Sequence, residues 1–431
     1  MATTTPGGAP ELGLSGTALQ ELLDDRAAQR RRLDRLWRWY ANPMTGHTGD
    51  GRPTFAQEEA LPARLRKEGT PLAPAPEVIV ENDIGWRVDA MVEFLVGGAI
   101  RVASGDSETD GLIEGIFRRS GGATMFQDWA LQGAIFGTAD LLVRAGDARL
   151  EVVPAIRATP IFDANDGARL AGYAISTGGE APIVELWTNA WHRVWKGGRK
   201  VVEERNTLGE PPIAHAQNRR NLNGYDGQSE VEPLIPLQNE LNTRLSDRAN
   251  RVTMQSFRMY LAKGLGDLGG PGARIAPGQV WSTDNEAASI EAFGGDATSP
   301  SEEAHIKEIR EALDKHSGVP PAAVGVIKTG LGQLSSATAI EITFTGLRKG
   351  TERKQETFGA ALRTAVAMAL RAMQGDEAPT AEALVVEWPA ILPTSEADRL
   401  ENALRKQTLG VDRAAILREL GYAPTTQDAD E

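Results

Sequence analysis

Residues 221–250 read NLNGYDGQSEVEPLIPLQNELNTRLSDRAN. The stretch opens as a glycine-containing turn and becomes a helix whose apolar stripe is Leu234, Leu237, Leu241, Leu245, Ala249 and Val252. The helix carries no basic face and no catalytic side chain. Asn242, Ser246 and Asn250 recur at every fourth position and form a polar, uncharged seam along it. Such a helix serves packing or lining rather than chemistry, and the rest of the chain has to say which.

The chain has 431 residues, enough for about two to four folding units. It contains no cysteine, which removes disulfides, thiolate metal sites and thiol nucleophiles together. No run of about 18 apolar residues occurs, so no membrane span is expected. The opening MATTTPGGAPELGLSG lacks the basic-then-apolar order of a secretory signal and reads as a leader. The net charge of −13 is the opposite of what a conventional sequence-specific DNA binder shows. It is compatible with a surface that DNA must slide past.

Upstream of the quoted stretch, residues 21–40 read as a helix with Leu22, Leu33, Leu36 and Trp37 on its stripe. Its Arg30–Arg32 cluster reads as a solvated face in preference to a phosphate contact. Residues 83–96, 112–119 and 125–136 are three further helix candidates. From Asp140 the period changes to β-branched runs, broken by Gly146-Asp147 as a hairpin signal, and strand candidates continue to Arg205. Helices first and sheet second make an α+β unit. Downstream, residues 257–300 are a Gly/Pro-rich insert between two helices. The second helix, 301–316, has an acidic first turn and a Lys/His last turn, as the helix dipole prefers. Residues 337–373 follow as one long helix with Ile340, Phe344, Leu347, Phe358, Leu362, Ala365 and Ala369 on its apolar face. It would be about 55 Å long, with Gly346, Gly350 and Gly359 as bend points. Residues 385–388 are a strand candidate, and 395–420 hold two short helices before an acidic tail.

Apparent chemistry dissolves on inspection. Gly264, Gly266 and Gly269 spell GxGxxG, but Gly270-Pro271-Gly272 oppose the helix a dinucleotide site requires. Residues 325–332, GVIKTGLG, hold a lysine among glycines out of Walker order. His47, His192, His215, His305 and His316 form no short-spaced metal pair, and no GxSxG elbow occurs. Asp24-Asp25 and Glu302-Glu303 lie at helix starts, where the dipole accounts for them. Trp37, Trp39, Trp187, Trp191 and Trp195 read as core or subunit-interface packing. No enzyme, cofactor or metal site is expected.

Three stretches carry a family resemblance. The first is Gly227–Asp247, with Glu230, Leu237, Asn239, Leu241, Asn242 and Ser246. The second is Ser317-Gly318-Val319-Pro320, then Gly325, then Ser336-Ala337 with Ala339-Ile340. The third runs from Leu347-Arg348-Lys349 through Phe358 and Leu362. In this order they resemble the portal proteins (head-to-tail connectors) of tailed bacteriophages, of the siphophage and gene-transfer-agent type. The resemblance covers residues 80–425, and it departs from the pattern at Ser335-Ser336, where family members often have Ser-Gly.

The resemblance implies an α+β portal fold that assembles into a ring of about twelve subunits around a DNA channel. Residues 1–39 would be an N-terminal leader and helix, 40–232 the wing, 233–256 a stem helix, 257–300 the clip and 301–316 the second stem helix. Residues 317–335 would form the tunnel-loop region, 336–374 the long kinked tunnel helix, 375–394 a return strand to the wing, and 395–431 the crown helices and acidic tail. The implied partners are other copies of the chain, double-stranded DNA read without regard to sequence, a terminase large subunit that hydrolyses ATP, a head-completion or adaptor protein, and a major capsid or scaffold protein. No membrane is involved. The implied location is the portal vertex of a virion assembled in the host bacterial cytoplasm, where the genome is packaged and later ejected. Lys328, Thr329, Gly330, Leu331 and Gln333 would face the DNA, with Lys328 alternatively an intersubunit salt-bridge partner. Asn242, Ser246 and Asn250 would line the channel or lie against the next subunit, and Arg348, Lys349, Arg353 and Lys354 would pair with acidic residues of a neighbour in preference to contacting DNA. An acidic wall suits this role, because each phosphate contact strengthens binding through counterion release. The competing reading is a capsid or adaptor protein without a channel, which would lack the helix–insert–helix order.

Overall fold

The computed structural model describes residues 21, 24, 26–67, 75–163, 165–167, 169–178, 182–222, 224–256, 259–263, 289–293, 300–326, 337–391 and 396–420. The chain begins with α1 (Ala27–Ala41) and a short antiparallel pair, β1 (Met44–His47) and β2 (Pro53–Phe55). An extended segment, 75–82, leads into α2 (Asp83–Val96). Asn82 caps α2 by accepting from the Gly85 N–H at 3.3 Å, and Ile84, Val88, Met91 and Leu95 are buried at helical spacing. After β3 (Arg101–Ala103), α3 runs Ser107–Arg119. It starts at Ser107 rather than at Leu112 because Asp106 caps it, accepting from the Thr109 N–H at 2.8 Å. α4 (Ala123–Phe136) follows.

Two antiparallel sheets come next. One has the order β11-β4-β5, from Ile213–Gln217, Thr138–Arg144 and Arg149–Val153. The other is a meander, β10-β9-β8-β7-β6, from Arg199–Arg205, Trp191–Lys196, Ile183–Thr188, Leu170–Ser176 and Ala158–Phe162. Side chains alternate between faces of a strand, and the three-stranded sheet uses both. Leu142, Val153 and Ile213 meet Tyr173 and Trp187 of the meander, whereas Ala139, Leu141, Val143, Ala214 and Ala216 face the helices.

The helical core continues through the downstream elements. α5 (Ile235–Ser256) and α6 (Pro300–Ser317) pack side by side, with Leu241, Ile306, Ile309 and Leu313 buried. Between them in sequence, β12 (Met259–Lys263) pairs antiparallel with β13 (Ser289–Phe293). α7 (Ala337–Gln374) is helical without interruption, and Phe358, Leu362, Ala365, Val366 and Ala369 sit at the centre of the core. The Phe358 ring meets Trp129 edge-on at 4.7 Å, and a Cβ at Gly133 would lie 2.6 Å from that ring. At two of the three glycines expected as bend points an added Cβ would meet only ordinary van der Waals contact, 3.4 Å from the Gly318 carbonyl at Gly346 and 3.5 Å from the Trp388 indole at Gly359. β14 (Val385–Glu387) pairs with β3, and α8 (Glu396–Thr408) and α9 (Arg413–Leu420) close the described chain. Among the described residues no helix is long and apolar enough to cross a membrane, and no group of acidic and histidine side chains is arranged to hold a metal ion.

Candidate functional site

The polar seam of α5 meets the extended segment 77–81. Asn250 accepts from the Glu77 N–H at 2.9 Å and donates to the Glu77 carbonyl at 2.7 Å. Ser246 Oγ accepts from the Ile79 N–H at 2.9 Å and lies 3.2 Å from the Ile79 carbonyl. Asn242 Oδ1 accepts from the Glu81 N–H at 3.0 Å, and Gln238 donates to the Glu81 carbonyl. Every second residue of an extended chain turns its N–H and C=O the same way, and every fourth residue of a helix shares a face. The repeats are close in length, about 6.0 and 6.6 Å, so successive pairs meet. The helix side chains thus stand where a neighbouring strand would, and segment 77–81 is a strap laid along α5. At its end Asn242 Nδ2 donates to Gln57 at 2.9 Å, and Gln57 Nε2 donates to Asn82 and to the Trp39 carbonyl, each at 2.8 Å.

At Asn242 and Ser246 this corrects the expectation that the seam lines a channel or faces the next subunit. Asn242 and Ser246 are both fully buried, and all three seam residues are bonded within their own subunit. A polar stripe on a helix shows that a polar partner exists, not whether that partner is water, DNA or the chain itself.

Charge holds the other helices. Lys354, on α7, is an internal residue rather than an intersubunit one. Its Nζ lies 3.0 Å from Glu230 Oε1, with both side chains 7% exposed, and Asn218 donates to the same carboxylate at 3.0 Å. Burial alone would raise the Glu230 pKa; Lys354 overrides it and holds the carboxyl below its usual range. Arg348 and Lys349 pair with Glu352 on their own helix at 3.7 and 2.7 Å, and Arg353 is exposed. On α2, the buried Arg87 bridges Asp83 at 3.1 Å and Asp314 of α6 at 2.5 Å. Just beyond, Gly318 ends α6 at φ 71°, and its N–H returns to the Asp314 carbonyl at 2.9 Å. Val319 is then fully buried beside Ala90, Met91 and Leu347. The Ser-Gly-Val-Pro stretch therefore fixes α6, α2 and α7 at one point. Residues 328–333, expected to face DNA, lie outside the described residues, as does the GxGxxG at 264–269.

The family model "Phage portal protein, SPP1 Gp6-like" matches residues 19–421. The chain belongs to this family. No curated protein matches it in sequence. Among solved structures, a chain from the virion of a native gene transfer agent (GTA) particle matches with a TM-score of 0.50 at 15% identity, over 79% of this chain and 89% of that one. A chain from the neck of a native GTA particle computed with C12 symmetry matches with a TM-score of 0.50 at 14% identity, over 79% and 89%. At such identities the likeness is one of fold.

Two clusters inside this portal subunit resemble catalytic arrangements. Sequence reading treated their histidines singly. Asp140, 2% exposed, accepts from Tyr173 at 2.5 Å and lies 2.6 Å from His215 Nδ1. The His215 ring stacks on Tyr225 at 3.7 Å. Burial pushes the His215 pKa down, but the bond to Asp140 and its charge raise it on balance. The adjoining cavity, lined by Arg26, Gln29 and Asp226 among others, is about 10 Å³, room for one water at most. In the meander, Glu185 pairs with Arg144 and with His192 at 2.9 Å. Burial opposes ionisation of Glu185, but His192 and Arg144 carry its pKa down to about 2. Both clusters join the two sheets. Of their links, only the neighbours Glu185 and His192 fall close in sequence; Asp140 and His215 lie 75 residues apart.

Proposed function

We propose that this chain is the repeating subunit of a closed ring at the neck of a phage or gene-transfer-agent particle, and that double-stranded DNA passes through that ring. Membership of the portal family over residues 19–421 carries the reading. A surface that meets a different surface on the next copy closes into a ring when the rotation divides a full turn. The symmetry of the related neck, C12, suggests about twelve copies. The subunit contributes a wall and a mount, not chemistry. A separate terminase supplies ATP hydrolysis, adaptor proteins dock at the end that carries β12 and β13, and capsid or scaffold protein surrounds the wing. An acidic chain of net charge −13 keeps the duplex mobile, since few cations are offered to phosphate. Lys328, Thr329, Gly330, Leu331 and Gln333 are the residues we assign to the DNA.

Negative-stain images and native mass of the purified protein test the assembly. A ring with a central hole is expected; a monomer or dimer persisting at high concentration overturns the reading. Lys328→Ala in the assembled ring is expected to alter packaging rate or the length of DNA retained. No change in either removes Lys328 from the DNA-facing set.

A further inference from the structure

The strap has two edges, and α5 occupies one. The N–H and C=O groups of Glu77, Ile79 and Glu81 turn toward α5. Those of Val78 and Val80 must therefore turn the opposite way. Among the described residues nothing donates to or accepts from them. Val78-Ile79-Val80 is a β-branched run suited to a strand, yet it pairs with none. Ile79, at its centre, is 43% exposed. The flanking carboxylates are engaged by the subunit itself: Glu77 accepts from the Thr253 hydroxyl at 2.7 Å, and Glu81 pairs with Arg310 of α6 at 2.6 Å. The outer edge of the meander is different. There β10 reads RKVVEER, the charged composition that protects a solvated edge from pairing.

We propose that the free edge of the strap receives an extended segment of the neighbouring copy of this chain, so that subunits are joined by strand addition along the stem helix. The inference rests on the ring reading above. The short length of the edge favours a second copy over a free peptide. Two residues offer four backbone groups, too few to capture a peptide from solution. They suffice when the neighbour is already held in place at high effective concentration.

Hydrogen exchange resolved to single amides, on the full-length protein as dissociated subunit and as ring, tests this. The Val78 and Val80 amides are expected to exchange freely in the subunit and to slow by about tenfold or more in the ring. The Ile79 and Glu81 amides should be protected in both. Val78→Pro removes one outward donor and leaves the Ser246 bonds in place. It should leave the subunit's melting temperature unchanged and shift the ring–subunit ratio toward subunit by about tenfold. Ile79→Pro is expected to loosen the subunit itself. A ring in which Val78 and Val80 still exchange freely overturns the strand addition and leaves the ring reading intact. So does protection that arrives only when a separate neck protein is added. Absence of any ring from the wild-type protein overturns both.

Discussion

The helix α5 and the central helix α7 are both anchored by buried polar groups, in opposite ways. α5 uses neutral side chains, Gln238, Asn242, Ser246 and Asn250, each bonded to backbone. α7 uses one charged pair, Lys354 with Glu230. The neutral ladder divides its strength over several modest bonds, and losing one leaves the others in place. The ion pair concentrates it, because a buried charge without its partner is far costlier than an unpaired amide. The ladder therefore sets direction along α5 by repetition. The pair sets one point on α7 that cannot slide.

Breaking the pair should give the largest effect. Lys354→Met leaves the buried Glu230 with only the more distant Arg219, at 3.7 Å, as a cation and is expected to destabilise the subunit by about 3 kcal/mol in denaturant unfolding, with Glu230→Gln added to it recovering most of the loss. Asn242→Ala removes the acceptor of the Glu81 N–H and the donor to Gln57, for about 1–3 kcal/mol. The two should also differ in acid. Glu230 is held below the usual carboxylate range, so its contribution is present above about pH 4.3 and is lost as pH falls through the folded-state pKa. The cost of Lys354→Met should therefore shrink in acid while that of Asn242→Ala stays constant. Glu185, with its pKa down to about 2, adds to the same acid loss through the five-stranded meander. The smallest effect is on the alkaline side. His215 has a raised pKa, so its contribution is complete below about pH 6.5 and declines as pH rises through the folded value. His215→Gln should flatten that slope in stability measured from about pH 6 to 9.

Much of the frame was legible. The bounds of α2, 83–96, follow from its stripe alone, and Gly146-Asp147 marks the turn between β4 and β5. The strap was not legible: it is too short for a periodic signal, and its partners lie 157–173 residues away. The seam announced polarity but not its counterpart. Lys354 did leave a signal. It falls in helical phase with Leu347, Thr351 and Phe358, all buried, which places it on the core side of α7. Reading it as a surface cation followed the habit of lysines rather than the period of this helix.

The ladder of α5 is also a vernier. Its two scales differ by about 0.6 Å per rung, so three rungs accumulate an offset of about 1.2 Å, which swinging amides absorb. At one end the strap turns into α2 after Asn82, and Gln238 reaches the Glu81 carbonyl that Asn242, bonded to Gln57, does not take. Each further rung of such a ladder would ask its side chain to reach about 0.6 Å further along the axis, as the arithmetic of helix and strand dictates.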